Sequence, residues 1–124
     1  MARVLVVDDD AEICDAISSV VERMRHTPIA ARTFREGIEA AADRNVDVAL
    51  VDVRLPDGDG LDLLPLLREQ PPFPEVIIMT GFGDADGAEL AIKSGAWDYV
   101  EKPFSVRKLT KLRSFTSRTL PTGK

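Results

Sequence analysis

The sequence predicts an α/β fold in which a parallel β-sheet is covered by helices on both faces. Short apolar runs alternate with stretches whose apolar residues recur at steps of three and four, the pattern of strand–helix–strand units. Five such runs occur, and parallel strands that follow one another need crossover connections, which are right-handed. We therefore expect five parallel strands alternating with helices in one domain.

The predicted strands are short and rich in β-branched residues, which is typical of strands buried on both faces. The first covers residues 3–7 (RVLVV), and the others cover 27–31, 46–51, 75–80 and 97–100. Pro56, Gly58 and Gly60 mark a loop after the third strand, and the proline-bounded segment 71–74 interrupts the chain before the fourth.

The predicted helices occupy the stretches between these strands. Asp10 can cap the first helix, whose apolar positions run from Ile13 to Met24 at helical spacing. The next three helices cover about 34–43, 61–69 and 85–93, with Gly95 at the end of the last of these. A final helix would pack through Val106, Leu109, Leu112 and Phe115.

Composition bounds the class of protein. With 124 residues, 44% hydrophobic and 30% charged, the chain has the balance of a soluble domain, and it has no run near the roughly 18 apolar residues of a membrane span. We expect the domain to cover 1–118 and residues 119–124 to be a tail or the start of a linker. The single cysteine, Cys14, predicts packing rather than chemistry and favours a reducing, cytoplasmic location.

The charge is unevenly distributed along the chain. Residues 1–101 hold all 21 acidic residues but only 9 of the 16 basic ones, so the body of the domain is acidic and the remaining segment is basic. An acidic body argues against direct nucleic-acid binding as the main role of this domain. The basic segment is interpreted as a solvated helix face or the start of a linker.

Polar residues stand where the predicted strands end. Asp8 and Asp9 follow the first strand, Asp52 follows the third, Thr80 ends the fourth, and Lys102 lies just beyond the fifth. Ligands of such sheets bind at the carboxyl ends of the strands. Two carboxylates about 4 Å apart repel by roughly 4 kcal/mol at an effective dielectric constant near 20, so the cluster needs a counter-charge.

Mg²⁺ is the natural counter-charge, since it binds one or two carboxylates together with water and phosphate oxygens. An aspartate can act as a nucleophile and form an aspartyl-phosphate, while Lys102 and the Thr80 hydroxyl would meet phosphoryl oxygens. The arrangement thus predicts phosphoryl transfer to a carboxylate.

Four segments resemble the receiver domain of two-component response regulators: VLVVDDD (4–10), ALVDVRLPDGDG (49–60), VIIMTGFGD (76–84) and GAWDYVEKPF (95–104). The resemblance covers nearly the whole chain and implies the flavodoxin-like receiver fold with strand order 2-1-3-4-5. The style of the last two segments is most similar to receivers attached to transcriptional output domains, such as those of sigma-54-type regulators.

The resemblance implies a role for each site residue. Asp52 would be the phosphoacceptor, and Mg²⁺ would be held by Asp8, Asp9, Asp52 and the backbone carbonyl of Arg54. Thr80 would be the switch hydroxyl and Lys102 the phosphate-binding lysine, with a cis peptide bond before Pro103. Tyr99 would be the switch aromatic. Trp97, two residues earlier, is predicted on the same side of the strand.

The implied partner is a sensor histidine kinase. The implied output surface combines the fourth helix, the fifth strand and the last helix, through which the domain would control an output domain, such as one for transcription, or form a homodimer. In this interpretation the chain is a signalling receiver that assists its own phosphorylation and dephosphorylation, and not an enzyme.

Two alternatives stay open. A Mg²⁺-dependent phosphatase or phosphotransferase with an aspartate nucleophile needs a second carboxylate two residues beyond it, and Arg54 occupies that position. A pseudo-receiver would be an interaction module without phosphate chemistry, which the full set of site residues disfavours.

Overall fold

Five strands form one parallel sheet in the computed structural model, which describes residues 2–71, 73–81 and 85–102. The sheet order is 2-1-3-4-5, as predicted. The strands are β1 (Arg3–Val7), β2 (Thr27–Ala31), β3 (Val48–Asp52), β4 (Glu75–Thr80) and β5 (Asp98–Glu101). The described helices are α1 (Ala11–Arg23), α2 (Phe34–Arg44), α3 (Gly60–Arg68) and α4 (Ala85–Lys93).

The predicted bounds of β1, β2, β4 and α4 are confirmed, and two strands are displaced. β3 covers Val48–Asp52 rather than 46–51, because the Asp47 carboxylate accepts a hydrogen bond from the Arg3 amide and pairing with β1 begins only at Val48. β5 begins one residue later than predicted, at Asp98. α2 ends one residue later, and α3 is shifted by one residue toward the N-terminus.

Each face of the sheet buries its own core. On one face Val4 and Val6 of β1 pack with the apolar side of α1, and on the other Leu5 and Val7 pack with residues of α2 and α3. This alternation follows from the period of two along a strand. Helices thus cover both faces of the sheet, and a ligand can reach the sheet at the ends of the strands.

The prediction that Trp97 and Tyr99 share one side of the sheet is wrong. Trp97 packs against the core on the α1 face, whereas Tyr99 packs against the core on the opposite face. The physical reason is that the period of two holds only inside a strand, and Trp97 precedes the first residue of β5.

Polar side chains cap the N-termini of α1, α2 and α3. The Asp10 carboxylate caps α1 as predicted, accepting from the Glu12 and Ile13 amides, and Thr33 caps α2. Asp59 lies in a two-stranded hairpin (Arg54–Leu55 with Gly58–Asp59) and caps α3. Within the described residues, no helix is both long and apolar enough to pass through a bilayer. The predicted last helix and the predicted cis peptide bond before Pro103 lie outside the described residues.

Candidate functional site at the carboxyl edge of the sheet

The parallel strands bring three carboxylates together at the carboxyl ends of the strands, which we call the carboxyl edge of the sheet. Asp8 directly follows β1, Asp9 comes next, and Asp52 is the last residue of the neighbouring β3. One oxygen of each of these side chains lies within 4.8 Å of the other two. Asp8 and Asp52 are buried and Asp9 is exposed, so the cluster, which we call the pocket together with Lys102, meets solvent at Asp9.

Lys102 places an ammonium between the two buried carboxylates. Its Nζ is 2.7 Å from Asp8 Oδ2 and 3.0 Å from Asp52 Oδ2. Only the contact with Asp52 has the geometry of a hydrogen bond. The Lys102 backbone amide donates to the Thr80 carbonyl at 2.7 Å, which ties the position of the lysine to the end of β4.

Asp8 Oδ2 is the atom that points to a metal. Oδ1 accepts a hydrogen bond from the Asp10 amide at 2.9 Å, but the buried Oδ2 accepts none from the described residues. Its described partner is the Lys102 ammonium at 2.7 Å, and a buried carboxylate oxygen beside two further carboxylates also suits a hard cation. The three aspartates therefore form a cluster that could hold a metal ion.

The pKa values of Asp52 and Lys102 are both raised, which disfavours the charge on the acid and favours the charge on the base. Burial raises the pKa of Asp52; the hydrogen bond from Lys102 opposes this rise, and the charge of Asp8 adds to it. Burial by itself lowers the pKa of Lys102, but its contacts with Asp8 and Asp52 leave that pKa above the ordinary value. Lys102 is therefore charged at neutral pH, and the folded state disfavours ionisation of Asp52.

The backbone around Asp52 is held by a close approach of Gly60. The Gly60 amide donates to the Val53 carbonyl at 2.7 Å, and a Cβ on Gly60 would lie 1.9 Å from the Asp52 carbonyl oxygen. Only glycine fits this contact. The Asp52 side chain accepts a hydrogen bond from the Arg54 amide at 3.2 Å, so the start of the following loop also holds the carboxylate.

Thr80 and Tyr99 lie beside this pocket on the next two strands. Thr80 is fully buried at the end of β4, and its hydroxyl donates to the Val100 carbonyl across a long 3.4 Å contact. Tyr99 lies on β5, opposite Ile78 of β4, and is half-buried against the core under α3 and α4. The structure thus brings the predicted pocket residues Asp8, Asp9, Asp52 and Lys102 into contact range and sets Thr80 at the adjoining strand end.

Three residues near the pocket make contacts that sequence patterns gave no signal for. The Arg32 guanidinium donates two hydrogen bonds to the Asp9 carbonyl, and the Asp57 carboxylate accepts hydrogen bonds from two backbone amides at the start of α2. Cys14 is buried as predicted, and its thiol donates to the Asp8 carbonyl at 3.2 Å. The Arg32 and Asp57 contacts join segments about 23 residues apart and so leave no local sequence pattern.

An open parallel sheet with this strand order and an acidic pocket at its switch point defines a flavodoxin-like domain with a candidate metal site. The chain belongs to the response regulator receiver domain family, whose model matches residues 4–113. The predicted fold class and the predicted function of a phosphorylation-controlled receiver are confirmed at the level of the family.

Individual relatives agree with this assignment. The chain is 36% identical over 110 residues to the response regulator protein PilR of Pseudomonas aeruginosa and 40% identical over 113 residues to the DNA-binding transcriptional regulator NtrC of Escherichia coli K12. It covers 89% and 88% of its own length in these matches but only 25% and 23% of the two relatives. The predicted likeness to receivers of transcriptional regulators is thus confirmed for NtrC.

Among solved structures, the chain is similar to a CheY-like response regulator receiver domain protein from Methanospirillum hungatei. The TM-score is 0.87 at 28% sequence identity, and the match covers 96% of each chain. The match therefore extends over almost the whole of a solved receiver domain, whereas the chain spans about a quarter of the length of PilR and NtrC.

Proposed function

We propose that this receiver, with a domain covering residues 1–118, accepts a phosphoryl group on Asp52 from a phosphohistidine of a sensor kinase. The observation that carries the proposal is the pocket itself: Asp52 is buried beside Asp8 and within hydrogen-bond distance of the partly buried Lys102 ammonium. Phosphoryl transfer needs positioning and charge neutralisation more than covalent chemistry from the protein, and these residues supply both.

The transfer is a displacement at phosphorus. A carboxylate oxygen of Asp52 forms a bond to phosphorus while the bond from phosphorus to the donor imidazole nitrogen breaks, and the imidazole keeps the electron pair. The product is an acyl phosphate. Asp52 Oδ1 is held by the Arg54 amide and Oδ2 by Lys102, so both oxygens are fixed before the donor arrives.

Asp8, Asp9, Asp52 and the backbone carbonyl of Arg54 would hold Mg²⁺. The proximity of the three carboxylates, with one oxygen of each within 4.8 Å of the others, supports this assignment. When bound, Mg²⁺ supplies positive charge for the phosphoryl oxygens and offsets the repulsion among the carboxylates. Lys102 supplies a second positive charge, because its raised pKa keeps it protonated.

Phosphorylation would be transmitted through Thr80. A phosphoryl oxygen on Asp52 offers the hydroxyl a charge-assisted hydrogen bond, which is stronger than its present 3.4 Å bond to Val100. Movement of Thr80 toward the phosphate would free space for Tyr99 on the adjoining strand. A bond of this type contributes roughly 1.5–3 kcal/mol, enough to shift a two-state equilibrium about ten- to a hundredfold.

The output surface would comprise α4, β5 and the predicted last helix. Leu90 and Ile92 of α4 are half exposed, which supports a docking role for this part of the chain. We propose that the surface controls an output domain for transcription or forms a homodimer, that the chain contacts neither nucleic acid nor membrane directly, and that it functions in the cytoplasm as a switch rather than as an enzyme.

Arg54, two residues after Asp52, is exposed and cannot supply the acid that a phosphatase of this type needs.

Incubation with a small phosphodonor tests the proposal without a kinase. Wild type should gain one phosphoryl group in Mg²⁺ and none in EDTA, as measured by intact mass, and the acyl phosphate should map to Asp52. Asp52→Asn should remain unmodified, whereas Asp62→Asn, an exposed acid of α3, should behave as wild type. Equal modification of wild type and Asp52→Asn would contradict the assignment, and an unmodified wild type would favour the pseudo-receiver.

A further inference from the structure

The loop after β1 is held from outside by Arg32. The guanidinium donates from Nε at 3.1 Å and from Nη2 at 2.7 Å to the backbone carbonyl of Asp9. Two donors of one planar group on one oxygen restrict its direction as well as its distance. Asp9 is the exposed member of the carboxylate cluster, so the described contacts that hold it act on its backbone rather than on its side chain.

The loop after β3 is held by the same part of the chain, through Asp57. Its Oδ1 accepts from the Phe34 amide at 2.7 Å, and its Oδ2 accepts from the Arg35 amide at 3.1 Å. The adjoining Gly58 lies so close to the Phe34 ring that a Cβ would be 3.0 Å from Cδ2. The loop from Asp52 to the start of α3 therefore rests on the first turn of α2.

We propose that Arg32 and Asp57 are positioning residues that use the start of α2 as a common support for both acid-bearing loops. The inference rests on the proposed function of the pocket. Through Arg32 the support fixes Asp9, and through Asp57 it fixes the loop that follows Asp52. The separation of the carboxylates is thereby set before a cation binds, and preorganisation of this kind increases affinity for a metal ion.

The sign of the effect on Mg²⁺ affinity separates positioning from simple electrostatics. Arg32 carries a positive charge beside a cation site, so its charge alone opposes Mg²⁺ binding. Removal of the side chain should strengthen binding if only charge matters. It should weaken binding if the guanidinium holds Asp9 in place. Arg35 is the matched control, because its side chain is 84% exposed, pairs with Glu39 and leaves the backbone amide intact when truncated.

Calorimetric titration of the full chain with Mg²⁺ provides the first test. Removing groups that orient metal ligands commonly weakens metal binding about 10- to 100-fold, and we expect about tenfold for Arg32→Ala. Arg35→Ala should stay within about twofold of wild type, since an exposed charge is screened. Arg32→Lys should recover part of the loss, because an ammonium can still donate to the carbonyl. Unchanged or tighter binding by Arg32→Ala overturns the inference.

Asp57 gives an independent arm of the same experiment. Asp57→Ala removes both acceptors and should weaken Mg²⁺ binding about tenfold, whereas Asp57→Asn keeps one acceptor oxygen and should weaken it less. An equal effect of both substitutions would show that the charge of Asp57 acts on the cation directly, and would overturn its role as a support.

Hydrogen exchange in EDTA separates this inference from the proposed function. The Asp10 amide donates to Asp8 Oδ1 inside the supported loop. Its exchange should become several-fold faster in Arg32→Ala than in wild type or Arg35→Ala, with no metal present. Unchanged exchange overturns the support by Arg32. Absence of Mg²⁺ binding in wild type would contradict the metal site of the proposed function and leave the support by Arg32 standing, because the exchange measurement is made without metal.

Discussion

Charged and polar residues lie at both ends of the parallel strands, the amino edge and the carboxyl edge of the sheet. The hydrogen-bonding groups of these residues are satisfied differently at the two edges. At the amino edge, His26 Nδ1 accepts from the Ala2 amide, and the Asp47 carboxylate accepts from the Arg3 amide, each at 2.9 Å. Arg68 spans from α3 to the Gly95 carbonyl at 2.6 Å. The contacts at this edge join neighbouring elements through complementary groups, and they stabilise the fold.

The carboxyl edge keeps an unfavourable arrangement instead. Three carboxylates lie close together, and the one described ammonium beside them, that of Lys102, pairs with Asp8 and Asp52. Like charges at this distance cost stability, and natural proteins retain such costs mainly where binding or catalysis needs them. We infer from this contrast that the amino edge serves the fold, and that under the proposed function the carboxyl edge binds ligands at the expense of stability.

Removal of one cation at each edge should separate the two edges most clearly. Lys102→Ala should slow phosphorylation by a small phosphodonor about 100-fold, because it removes a fixed charge from the transferring phosphoryl group. Arg68→Ala should leave this rate within about twofold of wild type, since its contacts are far from the pocket and partly screened. Quantitative mass spectrometry over time provides the rates. Similar rates for the two variants would contradict the functional division of the edges.

Backbone packing at the carboxyl edge should matter next. Gly60→Ala would place a Cβ against the Asp52 carbonyl and should lower the free energy of unfolding by about 2–3 kcal/mol, as overpacking against rigid backbone does. Urea titration followed by circular dichroism measures this change.

Gly37→Ala is the matched control for this substitution. Its Cβ would meet side-chain atoms of Leu63 and Val7 at 3.1 and 3.2 Å, and these atoms can shift. A gain in helix propensity of about 1 kcal/mol partly offsets the crowding in α2, so a smaller loss is expected than for Gly60→Ala. Equal losses would show that the close approach to Asp52 has no special cost.

The smallest effect is a pH dependence at the amino edge. Burial lowers the pKa of His26 below its ordinary value of 6.5, so the folded state favours the neutral ring that accepts from the Ala2 amide. The unfolded chain then binds more protons, and stability should be present above pH 6.5 and be lost as pH falls through the folded pKa. His26→Gln should have a flatter melting temperature between about pH 7.5 and pH 5.5. The same slope in both proteins would show that His26 does not contribute.

Local sequence patterns predicted the strands better where apolar runs end cleanly. The run 3–7 becomes β1 without change, but Val46 and Asp47 precede β3, where the Arg3 amide donates to the Asp47 side chain. Periodicity describes each residue's own strand and contains no information on such a contact between distant residues.

Local patterns likewise predicted the positions of the site residues along the chain but not all of their contacts. Strand ends placed Asp8, Asp52 and Lys102 at one edge, because parallel strands share a direction. Two features were not predictable: one ammonium contacts both buried carboxylates, and Arg32 and Asp57 reach neighbouring loops. Both features depend on loop conformations and side-chain rotamers, which a single sequence does not reveal.

The most direct test compares melting of wild type and Asp52→Asn in EDTA and in Mg²⁺. In EDTA the variant should be more stable by about 1 kcal/mol, or about 4 °C, because the folded state disfavours the buried charge whose pKa is raised. At Mg²⁺ about 100-fold above the dissociation constant, wild type should gain about 2.7 kcal/mol and the variant much less, which reverses their order. A variant that melts below wild type in EDTA, or an equal gain from Mg²⁺ in both proteins, would contradict the claim that this edge gives up stability to bind a cation at Asp52.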